Sequence, residues 1–370
     1  MTKAYDMVIP GHPNVYENNE RELPIYFNEP LQGINHETGI LLLLKEFNME
    51  VSSVEENKRR TFLANRYNMV TIQCECFGHR FMQGVHQPQF QFNMERLSQV
   101  FSEEHMLYIY DGNRVNLDKL FEVGANYDIS LEGIELLNET MADFNDMGIM
   151  QAIDHLTALY AVMAVIEDNA MKINPNRICA YGRGHGGYLA HLCNAFAPHL
   201  FHTILDQDAW LIPDYLETKR MLSGTKGLLK YKVIFEYMAN NVPYDKELLY
   251  LPSLYKLFQN QAKIVAFQNK DADGKLRSQK QLFFQSIEKS VYLELNQVSL
   301  QEPGNESVNT TENMSLEVMM DQALLNMENF NLLKERSLHF PIHRWETRAY
   351  RYTIDFNGLP LFNRSKKQGL

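Results

Sequence analysis

The stretch with the most chemical promise runs from Arg177 to Leu192 and reads RICAYGRGHGGYLAHL. An apolar run, four glycines within six residues and a helix-period segment follow one another. Strand, tight turn and helix in that order raise the middle residue of the turn over the helix N-terminus, where the dipole and free amides favour negative charge. A serine there is the nucleophile of G-x-S-x-G chemistry. The middle position here is Gly184, which accepts a strained turn at little cost and carries no reactive oxygen. Gly182, Gly184 and Gly187 also spell G-x-G-x-x-G, with Asp206 about where a ribose-binding acid falls, so dinucleotide binding is the rival reading. Such a fingerprint opens its domain, whereas two buried strands and a hairpin precede this turn. The nucleophile elbow is therefore the favoured reading.

The surrounding elements must hold that turn. MVIPGHPNVY and ELPIYFNEP alternate apolar and polar residues around a turn-rich NNE, which predicts an antiparallel hairpin. GILLLLKEF and MVTIQCECFG are short, almost wholly apolar runs, as strands covered on both faces require. A helix through KRRTFLANRY lies between them, and GIMQAIDHLTALYAVMAVI predicts a buried helix. After the elbow come strand HTILDQ, strand AKIVAFQ, helix SQKQLFFQSIEK, strand VYLELNQV and the long helix SLEVMMDQALLNMENFNLLKER. Strands alternating with helices imply an α/β fold with a mostly parallel sheet covered on both faces. The expected architecture is one α/β-hydrolase domain over residues 1–370, with an N-terminal hairpin and irregular insertions at about 80–142 and 211–261 forming a cap.

Composition narrows the partners. The chain has 35 basic and 46 acidic residues, and its net charge of −11 repels phosphate backbones and anionic lipid surfaces. Neither nucleic acid nor membrane is expected as a partner. No signal-like leader stands at Met1–Asp6 and no apolar run reaches the length of a span, so a cytoplasmic protein is expected. Four cysteines are too sparse for a disulfide scaffold and read as reduced core thiols. No second Cys/His cluster accompanies Cys74 and Cys76, and Pro341 interrupts His339 and His343, so no metal and no cofactor is expected.

The stretches CECFGHRFMQG, MGIMQAIDHLTALYAV and GHGGYLAHLCNAFAPHLFHTILDQDAWLIP resemble a bacterial family of α/β-hydrolase-like proteins, classed as a domain of unknown function. Its members occur in Campylobacter and related bacteria among motility and flagellar sugar-modification genes. The resemblance spans residues 1 to about 340 and is most specific at the elbow, which in that family typically reads G-x-S-Y-G-G-Y-L-A-H-L. Gly182, Gly186, Gly187, Tyr188, Leu189, Ala190, His191 and Leu192 match; Gly184 stands at the serine and His185 at the tyrosine. The resemblance implies an acid after AKIVAFQ, at Asp271 or Asp273, and a general-base histidine after VYLELNQV. No histidine lies between His202 and His339, and the expected loop offers only Glu302, Glu306 and Glu312. Serine and histidine are thus both missing, and each is of little use without the other.

Around the elbow, the His185 amide would form one arm of an oxyanion hole and the loop near Phe47 or Asn48 the other. Arg183 and His185 would flank an anion pocket or merely face solvent. Asp206, Asp208 and Trp210 lie at a strand's C-terminal end, where open α/β sheets bind ligands, although an acid there also serves as a cap. The tail RWETRAYRYTIDF alternates like an exposed edge, which allows a homodimer. The function expected is a non-catalytic protein binding a small acyl or sugar-derived ligand, or a partner protein, in surface-glycan or flagellar modification. The alternatives are a hydrolase or acyl-transfer enzyme working without serine, for example through water held by Asp206, Asp208, His185 or Asp271, and a dinucleotide-binding protein.

Overall fold

A computed structural model describes residues 3–92, 94–111, 114–269, 274–295, 316–327 and 342–367. Its main sheet has eight strands: β1 (Ala4–Pro10), β2 (Glu22–Asn28), β3 (Gly39–Leu43), β4 (Met69–Cys74), β5 (Ile178–Arg183), β6 (Thr203–Gln207), β7 (Lys263–Asn269) and β8 (Ser290–Leu295). They lie in the order β1-β2-β4-β3-β5-β6-β7-β8. Strand β2 pairs antiparallel with both β1 and β4, and every pairing from β4 to β8 is parallel. The expected hairpin is therefore β1 and β2.

Local chemistry explains the elements. All five residues of β3 and all six of β4 are buried, which is why both read as continuous apolar runs. Helix α1 (Val54–Tyr67) begins where the Ser53 hydroxyl accepts from the Glu56 amide and ends at Asn68 with φ 50°, a left-handed cap. Helix α2 (Ile149–Asp168) is long and apolar enough to cross a membrane, and most of it lies inside the fold. Helix α3 (His185–Phe196) follows β5 directly and is buried at every position. Helix α4 (Gly274–Gln285) joins β7 to β8, and α5 (Leu316–Met327) contributes Met319, Met320 and Ala323 to the core beside Leu41, Tyr181 and Val265.

The chain divides into two compact units: residues 1–79, 146–213 and 243–370 form the first, and 80–145 with 214–242 the second. The second unit has its own four-stranded sheet, Arg220–Lys226, Leu229–Phe235, Ser130–Glu135 and Pro88–Phe90 in spatial order, over a core that includes Phe101, Leu120 and Leu131. The stretch 211–261 predicts two helices, and two short α-helices occur there, Lys246–Leu249 and Leu251–Leu254, both in the first unit. Residues 220–235 form a hairpin that the sequence reading did not anticipate, because Leu229, Val233 and Phe235 are buried in strand alternation and Gly227 turns at φ 60°.

The tail also departs from expectation. Ile342–Glu346, Tyr350–Asp355 and Leu361–Lys366 make an antiparallel sheet of three strands rather than one exposed edge. Trp345, Tyr352, Ile354 and Phe362 are buried, with Trp345 stacked 5.3 Å from Phe196 of α3. An alternating strand reads the same whether its apolar face meets solvent, a partner or its own core.

Candidate functional site at the elbow

The β5–α3 turn keeps the shape of a nucleophile elbow. Gly184 has φ 53° and ψ −115°, a conformation that side chains resist. Its amide donates to the Gln207 carbonyl at 2.8 Å, and its carbonyl accepts from the Tyr188 amide at 3.1 Å and the Trp210 amide at 3.4 Å. Strand and helix approach so closely that a Cβ on Gly182 would land on the Gly186 carbonyl. A Cβ on Gly184, in contrast, would meet the Glu46 carboxyl, with Oε1 at 3.2 Å.

Glu46 comes from the loop after β3, which is tied to β5 by a 2.9 Å hydrogen bond from the Leu44 amide to the Tyr181 carbonyl. Its Oε1 lies 3.9 Å from Nε of Arg183, and their side chains are 30% and 42% exposed. Burial pushes the Glu46 carboxyl up; Arg183 and Arg59 hold it down, and Asp208 adds to the rise. Sequence reasoning placed its neighbours Phe47 and Asn48 here for their backbone role and passed over Glu46, the charged side chain beside the Gly184 Cβ position. Phe47 is half-buried, with its ring 5.4 Å from His185 and 5.9 Å from Trp210. Asn48 is exposed, at φ 62°.

His185 does not face solvent. Its ring is fully buried, and Nε2 pairs with Gln151 Oε1 of α2 at 2.7 Å. Burial, with His155 nearby, pulls its pKa down to about 3, so the ring is neutral and supplies no charge for an anion. Arg183 keeps its place at the elbow, but it is turned to Glu46.

Asp206 is likewise committed. It is buried, Oδ2 pairs with His191 Nε2 at 2.9 Å, and Oδ1 accepts from the Ala209 amide at 2.8 Å. His191 Nδ1 meets the Tyr255 hydroxyl at 2.6 Å, completing an internal chain of polar groups. No ribose reaches this carboxyl, which removes the basis for the dinucleotide reading and for water held by Asp206. Asp208 is half-buried at φ 53°, and its Oδ1 accepts from Gln268 Nε2 and the Asn269 amide, both at 2.7 Å. Burial raises its pKa, countered by the Asn269 bond and Lys280. Lys280, which sequence reasoning missed, is a buried lysine whose Nζ donates to Gln268 Oε1 at 2.6 Å; burial lowers its pKa. Asp271 and Asp273 lie outside the described residues, as do Glu302, Glu306, Glu312 and His339.

Elsewhere, all four cysteines are buried thiols outside any disulfide. His343 stacks on Trp345 at 4.9 Å and bonds the Ala195 carbonyl at 3.1 Å. Among the described residues no group of three His, Cys, Asp or Glu side chains is placed to hold a metal.

The strand order, the single reversed strand within it and the elbow between β5 and α3 define an α/β-hydrolase fold. Within that class the chain belongs to the family DUF2920, described as a protein of unknown function, which matches residues 34–218. No curated protein matches it. Similar solved structures include an S-formylglutathione hydrolase from Agrobacterium tumefaciens, with 11% identity, TM-score 0.43 and coverage of 90% of this chain and 99% of that one. A dienelactone hydrolase from Anabaena variabilis has 11% identity and TM-score 0.39, with 88% and 96% covered. A putative dipeptidyl aminopeptidase IV from Bacteroides ovatus has 9% identity and TM-score 0.47, with 89% of this chain but 36% of that one covered.

Proposed function

We propose that this chain is an α/β-hydrolase-fold protein that binds a small acyl or sugar-derived ligand at its elbow and forms no seryl intermediate. One observation carries the reading. Gly184 holds the backbone of a nucleophile at φ 53° and ψ −115°, yet among the described residues the group beside its Cβ position is the Glu46 carboxyl rather than a histidine. Phe47 and Trp210 supply apolar walls beside Glu46, Arg183 and Asp208, the mixture expected of a small-molecule site. A place in surface-glycan or flagellar modification is supported by the family resemblance alone. Stopped-flow mixing with p-nitrophenyl acetate tests the chemical half of the reading. No pre-steady-state burst is expected, and a burst equal to the chain concentration overturns it.

A second reading, hydrolysis without serine, is favoured by the position of Glu46 beside the Gly184 Cβ position.

A further inference from the structure

Two hydrogen-bond acceptors belong to the elbow helix and to the loop that faces it. Gln151 Nε2 donates to the Phe77 carbonyl at 3.2 Å, so its Oε1 is the acceptor that meets His185 Nε2 at 2.7 Å. The His185 ring proton therefore lies on Nε2, and Nδ1 carries a bare lone pair. Nδ1 is buried and has no hydrogen-bond partner among the described residues. The ring lies against Phe47 and against Trp210, whose amide reaches the Gly184 carbonyl. The other acceptor is the Glu46 carboxyl, 3.2 Å from the Cβ position of Gly184. The Glu46 carboxyl is therefore an acceptor for a donor placed over Gly184.

We propose that a water molecule takes the place of the missing hydroxyl over Gly184, that Glu46 is its general base, and that the chain hydrolyses activated acyl esters by direct attack of that water. This rests on the reading that no seryl intermediate forms. The water oxygen bonds to the acyl carbon while its proton passes to the Glu46 carboxylate. The carbonyl electron pair moves onto oxygen near the start of α3, where the helix dipole favours negative charge. Collapse breaks the ester C–O bond, and the proton held by Glu46 leaves on the departing alkoxide. One water and one ester become one acid and one alcohol, with no bond to the protein.

Glu46 is suited to this work. Burial strengthens its hold on a proton, moving it towards the range where a base is effective at neutral pH. The charges facing it are Arg183 at the end of β5, Arg59 on α1 and Asp208 after β6.

Steady-state release of p-nitrophenol from p-nitrophenyl acetate tests the proposal. The native chain is expected to exceed the buffer rate without a burst, with activity rising at a pH above the ordinary carboxylate range. Glu46→Gln, nearly isosteric, is expected to lose about 100-fold or fall to the buffer rate. Glu46→Asp, which withdraws the carboxyl by one methylene, should fall between. Circular dichroism and melting confirm that each variant is folded, and Glu46→Asp keeps the test alive should Glu46→Gln fail to fold. A native rate equal to buffer, or a native rate kept by Glu46→Gln, overturns the proposal and leaves the binding reading standing. A burst overturns both.

Discussion

Gly184→Ser puts a hydroxyl where the fold holds a place for one. The backbone there, φ 53° and ψ −115°, lies in a region that costs a residue with a side chain about 1–3 kcal/mol. The new Cβ would sit 3.2 Å from Glu46 Oε1 and 3.9 Å from Cδ, so the half-buried end of one side chain must yield slightly. Backbone strain therefore dominates. Taking about 2 kcal/mol, the folding constant falls ~30-fold. With about 2.1 cal/mol/K of unfolding entropy per residue, 370 residues melting together would lose ~2–3 °C. The new oxygen also displaces the proposed water and touches Glu46, which can take its proton. Slow fluorophosphonate labelling should appear in Gly184→Ser and disappear when Glu46→Gln is added. Turnover of p-nitrophenyl acetate should stop, because the serine oxygen takes the place of the proposed water and the acyl group on it blocks a new water from reaching Glu46. Calorimetry and intact-mass labelling read both effects. Melting at or above the native temperature would refute the strain argument, and equal labelling of the single and double variants would refute the role given to Glu46.

His191→Leu leaves the buried Asp206 carboxyl, among the described residues, with the Ala209 amide as its hydrogen-bond donor, and should cost about 3–5 kcal/mol in denaturant titrations. A loss under 1 kcal/mol would mean that the internal chain of polar groups contributes little. His185 is neutral when folded, with its pKa near 3, but takes a proton near pH 6.5 when unfolded. Its share of stability is complete above pH 6.5 and declines as pH falls towards 3, by up to about 1.4 kcal/mol per pH unit. His185→Leu should be less stable overall yet show a flatter decline between pH 6 and pH 4, and an unchanged slope would contradict the neutral, buried ring.

The sheet was legible because β3 and β4 are buried on both faces and write themselves as unbroken apolar runs, and because glycine spacing marks the elbow where strand and helix nearly touch. The 220–235 hairpin was not, since short alternating segments among polar residues carry a weak signal next to helix-forming ones. At the site, sequence located the turn and the loop that faces it. It could not tell which side chains point inward. His185, expected to flank an anion pocket or to face solvent, turns inward to Gln151 of α2, 34 residues earlier in the chain. Asp206 sits at a strand end, where ligands bind, but its carboxyl is consumed by His191 one helix back. Glu46 was adjacent to two named residues and went unread, because only the fold brings its carboxyl to Gly184.

Intact-mass spectrometry of the native chain after exposure to a fluorophosphonate tests the central claim most directly, because that reagent reports an activated serine and little else. An elbow built around Gly184 predicts an unchanged mass at every time and concentration short of denaturation. One adduct per chain, mapped by peptide sequencing to a serine, would show that an activated hydroxyl exists after all and that this turn is not the centre of the protein's chemistry.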